Sequence, residues 1–373
     1  MNSSLHLLRL ICVCLLLHSL SACRAGFNTA EDRIDNPDLW VFTGAGSNWV
    51  LEVEKNGDGF ELTRSNRPGS SVTITLTGTY EEFTNNGFTL LTVTDQSGTS
   101  DANSEITLVR ASAYAAFLSP IFPDSSDEDD EDHEITPMVA AANCGSGDAS
   151  SNWIRFKHPI DRQSAANEPN EFGTLTFDIS AETLTLDDRY DIDAPTQTLS
   201  SAPLGSGECD DGYIDQSNQN THYLGVDDSA LLDLFNNDDD ENQRLFAMDK
   251  SNIAANTDFD SDSYGILYDG ATSGDRNFPI RADCVSGTCT INRVTDVEDG
   301  RTVSQGAYTL LLTNVNSPST GFISGQIRLN SNPTQSQNAV CMLRSSATNQ
   351  DILACVAKSP NNSAEMLNIF LVR

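Results

Sequence analysis

A short run of strict alternation limits what this chain can become. Val72, Ile74 and Leu76 are interleaved with Thr73, Thr75 and Thr77. That period of two gathers apolar side chains on one face of a strand, whereas a helix would scatter them around its circumference. The punctuation agrees. Trp49-Val50-Leu51-Glu52-Val53-Glu54 breaks at Asn56-Gly57-Asp58-Gly59 and resumes at Phe60-Glu61-Leu62-Thr63. Asn-Gly and Asp-Gly supply the positive φ that tight hairpin turns need. Asn85-Asn86-Gly87 marks the next turn, and Ile106, Leu108 and Val109 mark a fifth strand. Residues 39–123 therefore read as an N-terminal β domain, an antiparallel meander or small barrel with one face built for burial.

Residues 124–134 hold eight acids in eleven positions, flanked by Pro120, Pro123 and Pro137. Such a block repels itself and stays solvated, which predicts an acidic linker over 124–137 between two domains. Beyond it, 138–373 carries strand signals at 153–157, 173–179, 183–186, 245–248, 264–268 and 308–312. More follow at 322–329, 340–343, 352–356 and 366–372. One short helix is expected over 229–235, with Asp228 as its cap. Trp153-Ile154-Arg155-Phe156-Lys157 followed by Gly173 is echoed at 245–250 and 265–269, and again at 321–327. A repeated β unit of this kind would suit a propeller or a duplicated sandwich. The expected fold class is all-β: a meander or small barrel, then a larger β-sandwich, barrel or propeller-like region with few helices.

The amino end carries an address. Arg9 gives one fixed positive charge, residues 10–17 are apolar, and Leu20-Ser21-Ala22-Cys23 follows. Eight apolar residues cannot span a bilayer, which needs roughly 20, and they suit a signal-peptide core. The four-residue motif resembles the lipobox of bacterial lipoproteins. That resemblance implies a signal peptide over 1–22, acyl chains such as palmitate on Cys23, and a lipidated tether over 23–38. With Arg24 rather than Asp next to Cys23, it also implies anchoring to the outer membrane of a Gram-negative bacterium. Two or more acyl chains anchor stably where one is marginal. Phe60 after a Gly turn and Gly78-Thr79-Tyr80 before a strand are similar to the lipocalin-like barrels of other bacterial lipoproteins, which implies a barrel in the first domain.

The chain has 54 acids and 21 bases; loss of Arg9 with the leader leaves 20, a net charge of −34. So acidic a surface repels nucleic acid and anionic headgroups, leaving the lipid anchor and an envelope protein as the expected partners. Of nine cysteines, two lie in the leader and one is the lipidation site. The remaining six read as disulfides in an oxidising compartment. Cys284 and Cys289 flank a turn-like stretch. Cys341 and Cys355 face each other if 340–343 and 352–356 pair as a hairpin, in a register that also sets Leu343 opposite Leu353. Cys144 and Cys209 remain as the third pair.

Asp258, Asp260 and Asp262 alternate in a loop, a spacing with which carboxylates can wrap calcium, the one cofactor this sequence suggests. The segment departs from the EF-hand pattern, with Ser263 at the turn glycine and Asp269 at the twelfth position, and a solvated loop is the competing reading. No G-x-S-x-G elbow, H-E-x-x-H helix, P-loop or Rossmann fingerprint occurs. His158 or His222 would need a distant Ser and Asp to form a triad. Trp40, Trp49 and Trp153 sit in or beside strands, where core packing is the expected role. These observations favour a non-enzymatic, lipid-anchored envelope protein with a structural or partner-binding role. A small-molecule or calcium-binding lipoprotein is the alternative, and an envelope hydrolase without a recognisable motif the minor one.

Overall fold

The computed structural model describes residues 39–45, 50–65, 71–98, 102–111, 115–119, 121, 135–139, 149–155, 171–178, 183–199, 202–206, 209–210, 213–216, 221–225, 232–236, 244–271, 277–344, 351–363 and 365–373. Among them every regular element is a β-strand and every pairing is antiparallel. The signal peptide and Cys23 lie outside the described residues.

The first eight strands close into a barrel: β1 Leu39–Ala45, β2 Val50–Asn56, β3 Gly59–Ser65, β4 Val72–Phe83, β5 Phe88–Ser97, β6 Glu105–Ala111, β7 Ala115–Leu118 and β8 Thr136–Val139. The alternating residues set its register. Phe42, Val53, Leu62 and Leu76 form one cross-strand row on one face, and all four are fully buried in one cluster with Ile74, Leu91 and Ile106. Gly57 makes the two-residue turn between β2 and β3 at a φ of 63°, a left-handed value open to glycine at little cost. Val72, the first member of the alternation, is instead 53% exposed. The register slips between Arg64 and Ser65, the residue opposite it, which takes Val72 out of the inward row.

β8 pairs with both β7 and β1. The acidic block expected as an interdomain linker therefore joins two neighbouring strands of one barrel, and the first body extends to Val139. Thr136–Val139, four buried residues, close the barrel.

A ten-stranded open sheet follows, ordered β12-β11-β10-β9-β18-β17-β16-β15-β14, with β13 beside β11. Its members are β9 Ala149–Arg155, β10 Glu171–Asp178, β11 Thr183–Asp191, β12 Ala194–Leu199, β13 Ala202–Ser206, β14 Cys209–Asp210, β15 Tyr213–Gln216, β16 Thr221–Gly225, β17 Leu232–Asn236 and β18 Arg244–Asp249. The helix expected over 229–235 is replaced by β17, hydrogen-bonded to β16 and β18. Leu232 and Leu234 alternate as a strand requires, and sheet partners on both sides outweigh a local cap. The repeat expected from the echoed segments is also overturned. β9 and β18, the opening strands of two copies, are neighbours in one sheet, while the third copy lies in a separate barrel. An apolar run followed by a glycine-led strand describes any buried hairpin.

The last eight strands form a second closed barrel: β19 Asp262–Asp269, β20 Asn277–Val285, β21 Thr288–Asp296, β22 Arg301–Val315, β23 Phe322–Leu329, β24 Asn332–Arg344, β25 Ile352–Lys358 and β26 Met366–Val372. Cys284 is bonded to Cys289 and Cys341 to Cys355. Both bonds are buried in one cluster with Leu310, Ile323, Leu353 and Ile369, and Leu343 lies opposite Leu353. β25 and β26 are buried almost throughout, because one face of each lines the barrel and the other enters a core shared by all three bodies.

That shared core is built from aligned rows. The first barrel offers Phe88, Val109 and Phe117, the sheet Tyr190, Phe172, Ile154 and Phe246, and the second barrel Phe322, Met342, Ala354, Phe370 and Ile266. Phe117 stacks on Phe370 at 4.6 Å between ring centroids and meets Phe246 edge-on at 5.6 Å, so one aromatic from each body joins at a point. Polar clamps surround the junction. Asn86, on the β4–β5 turn, donates to the carbonyls of Val297 and Glu298 in the second barrel at 2.7 and 3.1 Å. Asn152 of the sheet donates to Thr320 O at 2.8 Å, and Lys358 is ion-paired with Asp193.

Candidate functional site

Three adjacent strands of the sheet bring together the strongest concentration of buried charge. Arg155 ends β9, Glu171 begins β10, and Arg189 lies near the end of β11. The alternation that turns Ile154 toward the shared core turns Trp153 and Arg155 to the opposite face. Arg155 Nη2 donates to Glu171 Oε2 at 2.6 Å, and Arg189 Nη2 donates to both carboxylate oxygens at 2.8 Å. Glu171 is 3% exposed, Arg155 5% and the Arg189 side chain 23%. Two guanidinium groups thus share one carboxylate.

The row next to this triad is Trp153, Gly173 and Arg189, directly opposite one another across β9, β10 and β11. A Cβ at Gly173 would fall 2.9 Å from Trp153 Cζ2 and 1.9 Å from Asp188 O, so the indole lies over the glycine and leans from β9 toward β11. On the other face, burial and then the nearby Asp188 charge hold the Tyr190 phenol above its ordinary value. Sequence reasoning treated Trp153 as core, and it is fully buried. It passed over Arg155, although an arginine inside the apolar run Trp153-Ile154-Arg155-Phe156 is a signal for a buried partner.

In the Asp258 loop each of the three carboxylates meets a different partner. Asp258 Oδ2 accepts from the amides of Ala254 and Ala255 at 2.7 and 3.1 Å. Asp260 accepts from Ser286 N at 2.6 Å and Gly287 N at 2.9 Å, fastening the β20–β21 turn. Asp262 pairs with Arg281 at 2.8 Å, and this bond raises the Arg281 pKa above its ordinary value. The three carboxylates serve three separate structural partners. Among the described residues no cluster of three or more His, Cys, Asp or Glu could hold a metal ion.

A second buried network closes one end of the second barrel. Asp269, fully buried, accepts from Tyr308 Oη, from Asn361 Nδ2 at 2.8 Å and from Ala271 N at 3.0 Å. Burial first, and the adjacent Asp269 charge second, push the Tyr308 phenol far above its ordinary value of 10.0. These bonds fasten Asn361 to β19 and β22.

The remaining expected positions are scattered. His158, Trp49 and Cys144 lie outside the described residues. His222 is in β16 opposite Asp215 and Phe235, Trp40 is in β1, and Cys209 is in β14 opposite Ile214.

No family profile and no curated protein matches the chain. Two solved structures are similar to it in part, a double and a single mutant of Transferrin Binding Protein B, a vaccine antigen from Haemophilus parasuis Hp5. Each is 11% identical, with 87% of this chain and 65% of that chain covered at a TM-score of 0.28. This chain thus spans less than two thirds of their length, and a likeness of that degree carries no functional argument.

Proposed function

We propose that this chain is a non-enzymatic, lipid-anchored protein of the cell envelope, tethered through Cys23 to the outer membrane, whose task is to hold a protein partner. The observation that carries this reading is the contrast between the barrels and the sheet. Eight strands enclose a space that side chains just fill or that admits one small ligand. In both barrels the inward rows pack on one another in continuous apolar clusters. The barrels have no free strand edges, because closure pairs β1 with β8 and β19 with β26. Among the described residues the sheet between them does have edges, at β12 and β13 on one side and β14 on the other. Edge strands offer unpaired amides and carbonyls to an incoming chain, a common mode of protein recognition.

The test is photocross-linking in intact cells. A photoreactive residue at Gln197, in β12, should give a discrete adduct with one protein, and the same residue at Thr313, an exposed position on the second barrel, should not. Equal adducts from both positions, or none from either, would remove the sheet edge from the proposal. Native mass spectrometry of the chain distinguishes the small-molecule alternative: a retained mass lost on denaturation would favour it.

A further inference from the structure

We propose that the wall of the second barrel formed by β22, β23 and β24 is where two copies of this chain meet, across a two-fold axis at Leu311. Between Asp299 and Asp351 the sequence has no Asp or Glu, and its only bases are Arg301, Arg328 and Arg344. The chain as a whole has 54 acids in 373 residues and a net charge of −33. The acid-free run coincides with three adjacent strands, since β22 pairs with β23 and β23 with β24. Exposed apolar residues gather at the same place. Among the described residues the exposed large apolar side chains are Val72 at 53%, Val285 at 62%, Val303 at 37% and Leu311 at 40%. All but Val72 lie on the second barrel, in β20 and β22. Val285, Thr288, Leu311 and Gln326 form one uncharged cross-strand row, and Thr290, Thr309, Arg328 and Ser336 form the row beside it. The end of the first row is stiff. The Cys284–Cys289 bond adjoins Val285, and Asp260 holds the amides of Ser286 and Gly287. A surface ordered in advance loses little freedom on binding.

Charge selects the occupant. A basic partner would find better footing on the rest of so acidic a chain, whereas an acidic partner is repelled everywhere except at a wall without acids. A second copy is an acidic partner certain to be present. An anionic lipid surface would call for clustered Lys and Arg, but Arg301 is paired with Asp299 at 3.0 Å, and Arg328 stands in a row of Thr and Ser. Depletion of Asp, Glu and Lys with retention of Arg is what distinguishes the centre of a protein interface. Two-fold symmetry is the commonest for copies of one chain, and an axis at Leu311 sets this residue against its counterpart. Arg328 lies one strand across and two residues along from Leu311, about 8 Å away. The two Arg328 groups are then about 16 Å apart, beyond the screening length of about 8 Å at physiological salt.

Sedimentation equilibrium of the full protein in a density-matched detergent tests the contact, and the expected species is a dimer. Two acidic chains repel at long range while their seam is nearly uncharged. Raising salt from about 0.15 M to about 0.5 M should therefore tighten the dimer, by about threefold, where an ionic interface would loosen. Leu311→Glu sets two carboxylates against each other and should raise the Kd at least about tenfold. Val72→Glu makes the same charge change at an exposed valine of the first barrel and should leave the Kd unchanged. Leu311→Cys should join two chains by a disulfide on air oxidation, a readout that stands if the glutamate variant misfolds. The proposal is overturned by a single-chain mass at about 100 µM in both salts, or by a dimer that loosens with salt. It is equally overturned by a Kd indifferent to Leu311→Glu or weakened as much by Val72→Glu, or by Leu311→Cys chains that stay unjoined or bond a different protein. The contact is separate from the sheet edge, so its failure leaves the partner-binding reading standing. Thr313 adjoins this wall: in the photocross-linking test, an adduct there of twice the chain's own mass reports a second copy, and one of any other mass a foreign protein.

Discussion

Glu171 sits between two positively charged guanidinium groups and is almost wholly removed from water. Its removal would take away the buried carboxylate that both guanidinium groups share. Breaking a buried ion pair from one side costs about 3–5 kcal/mol, so Glu171→Gln is expected to lose that much stability in urea unfolding. Tyr308 makes a pH-dependent contribution whose sign follows from its raised pKa. An acid harder to ionise when folded than when unfolded adds stability that is complete below its unfolded pKa, about 10, and that drains as pH climbs above it. Tyr308→Phe should cost about 1–2 kcal/mol at neutral pH, chiefly through the Asp269 acceptor left short of a donor. It should also flatten the loss of stability above pH 10, measured as urea midpoints across pH. At Cys23, replacement by Ser is expected to move the protein from membrane to soluble fractions; retention on membranes would remove the anchor from the proposal. Little of the residue scale was legible beforehand. Asp258, Asp260 and Asp262 are spaced like ligands, yet spacing carries no information about the amides of 286 and 287 that Asp260 meets. Arg155, Glu171 and Arg189 are too far apart in sequence for any local rule to join them.

Strands were far more readable, because alternation and turn chemistry act locally. Phe322–Leu329 and Met366–Val372 lie where the apolar pattern predicts them, and β24 pairs with β25 in the register that sets Cys341 against Cys355. Residues 232–236 were misread because seven residues satisfy a helix cap and a strand equally, and only the partners in β16 and β18 distinguish them. Bends are the other element-scale feature hidden from composition. Gly78 lies where β4 passes under Thr92, and a Cβ there would fall 1.9 Å from the Thr92 carbonyl oxygen and 2.8 Å from the Phe60 ring. Gly78→Ala must push two backbones apart and should cost about 3 kcal/mol or more, with a matching fall in thermal midpoint. The resemblance to small barrels rested on Phe60 and Gly78, and they are cross-strand partners: the ring covers the glycine, a device that sheets use to bend without opening a hole.

Three bodies with one core should unfold as one. The rows meeting around Phe117, Phe246 and Phe370 bury each barrel's outer face against the sheet, so neither barrel can leave without exposing aromatic surface. Calorimetry of the intact protein is expected to give a single transition. Phe117→Ala, costing about 3–5 kcal/mol, should split it, since the stacking partner on the second barrel and the edge-on partner on the sheet are lost together. This docking was not legible in the sequence. Phe117 and Phe370 look like any apolar strand residues, and nothing local says which face lines a barrel and which meets a neighbour. The near-continuous apolar runs of 352–358 and 366–372 were the available sign, since a strand buried on both faces loses its alternation.

Closure also imposes an order in time. A chain emerging amino end first can complete its first barrel once Thr136–Val139 is out, with β8 meeting β1 while the remainder is still to come. The second barrel has no such liberty. Its first strand, β19, is paired along most of its length with its last, β26, so a chain stalled short of Met366 holds seven strands and an open seam. Until that final segment arrives, the rows on β19 and β25 that belong against it remain bare, and the interval between the two closures is when this protein is most exposed to mispairing and most in need of an escort.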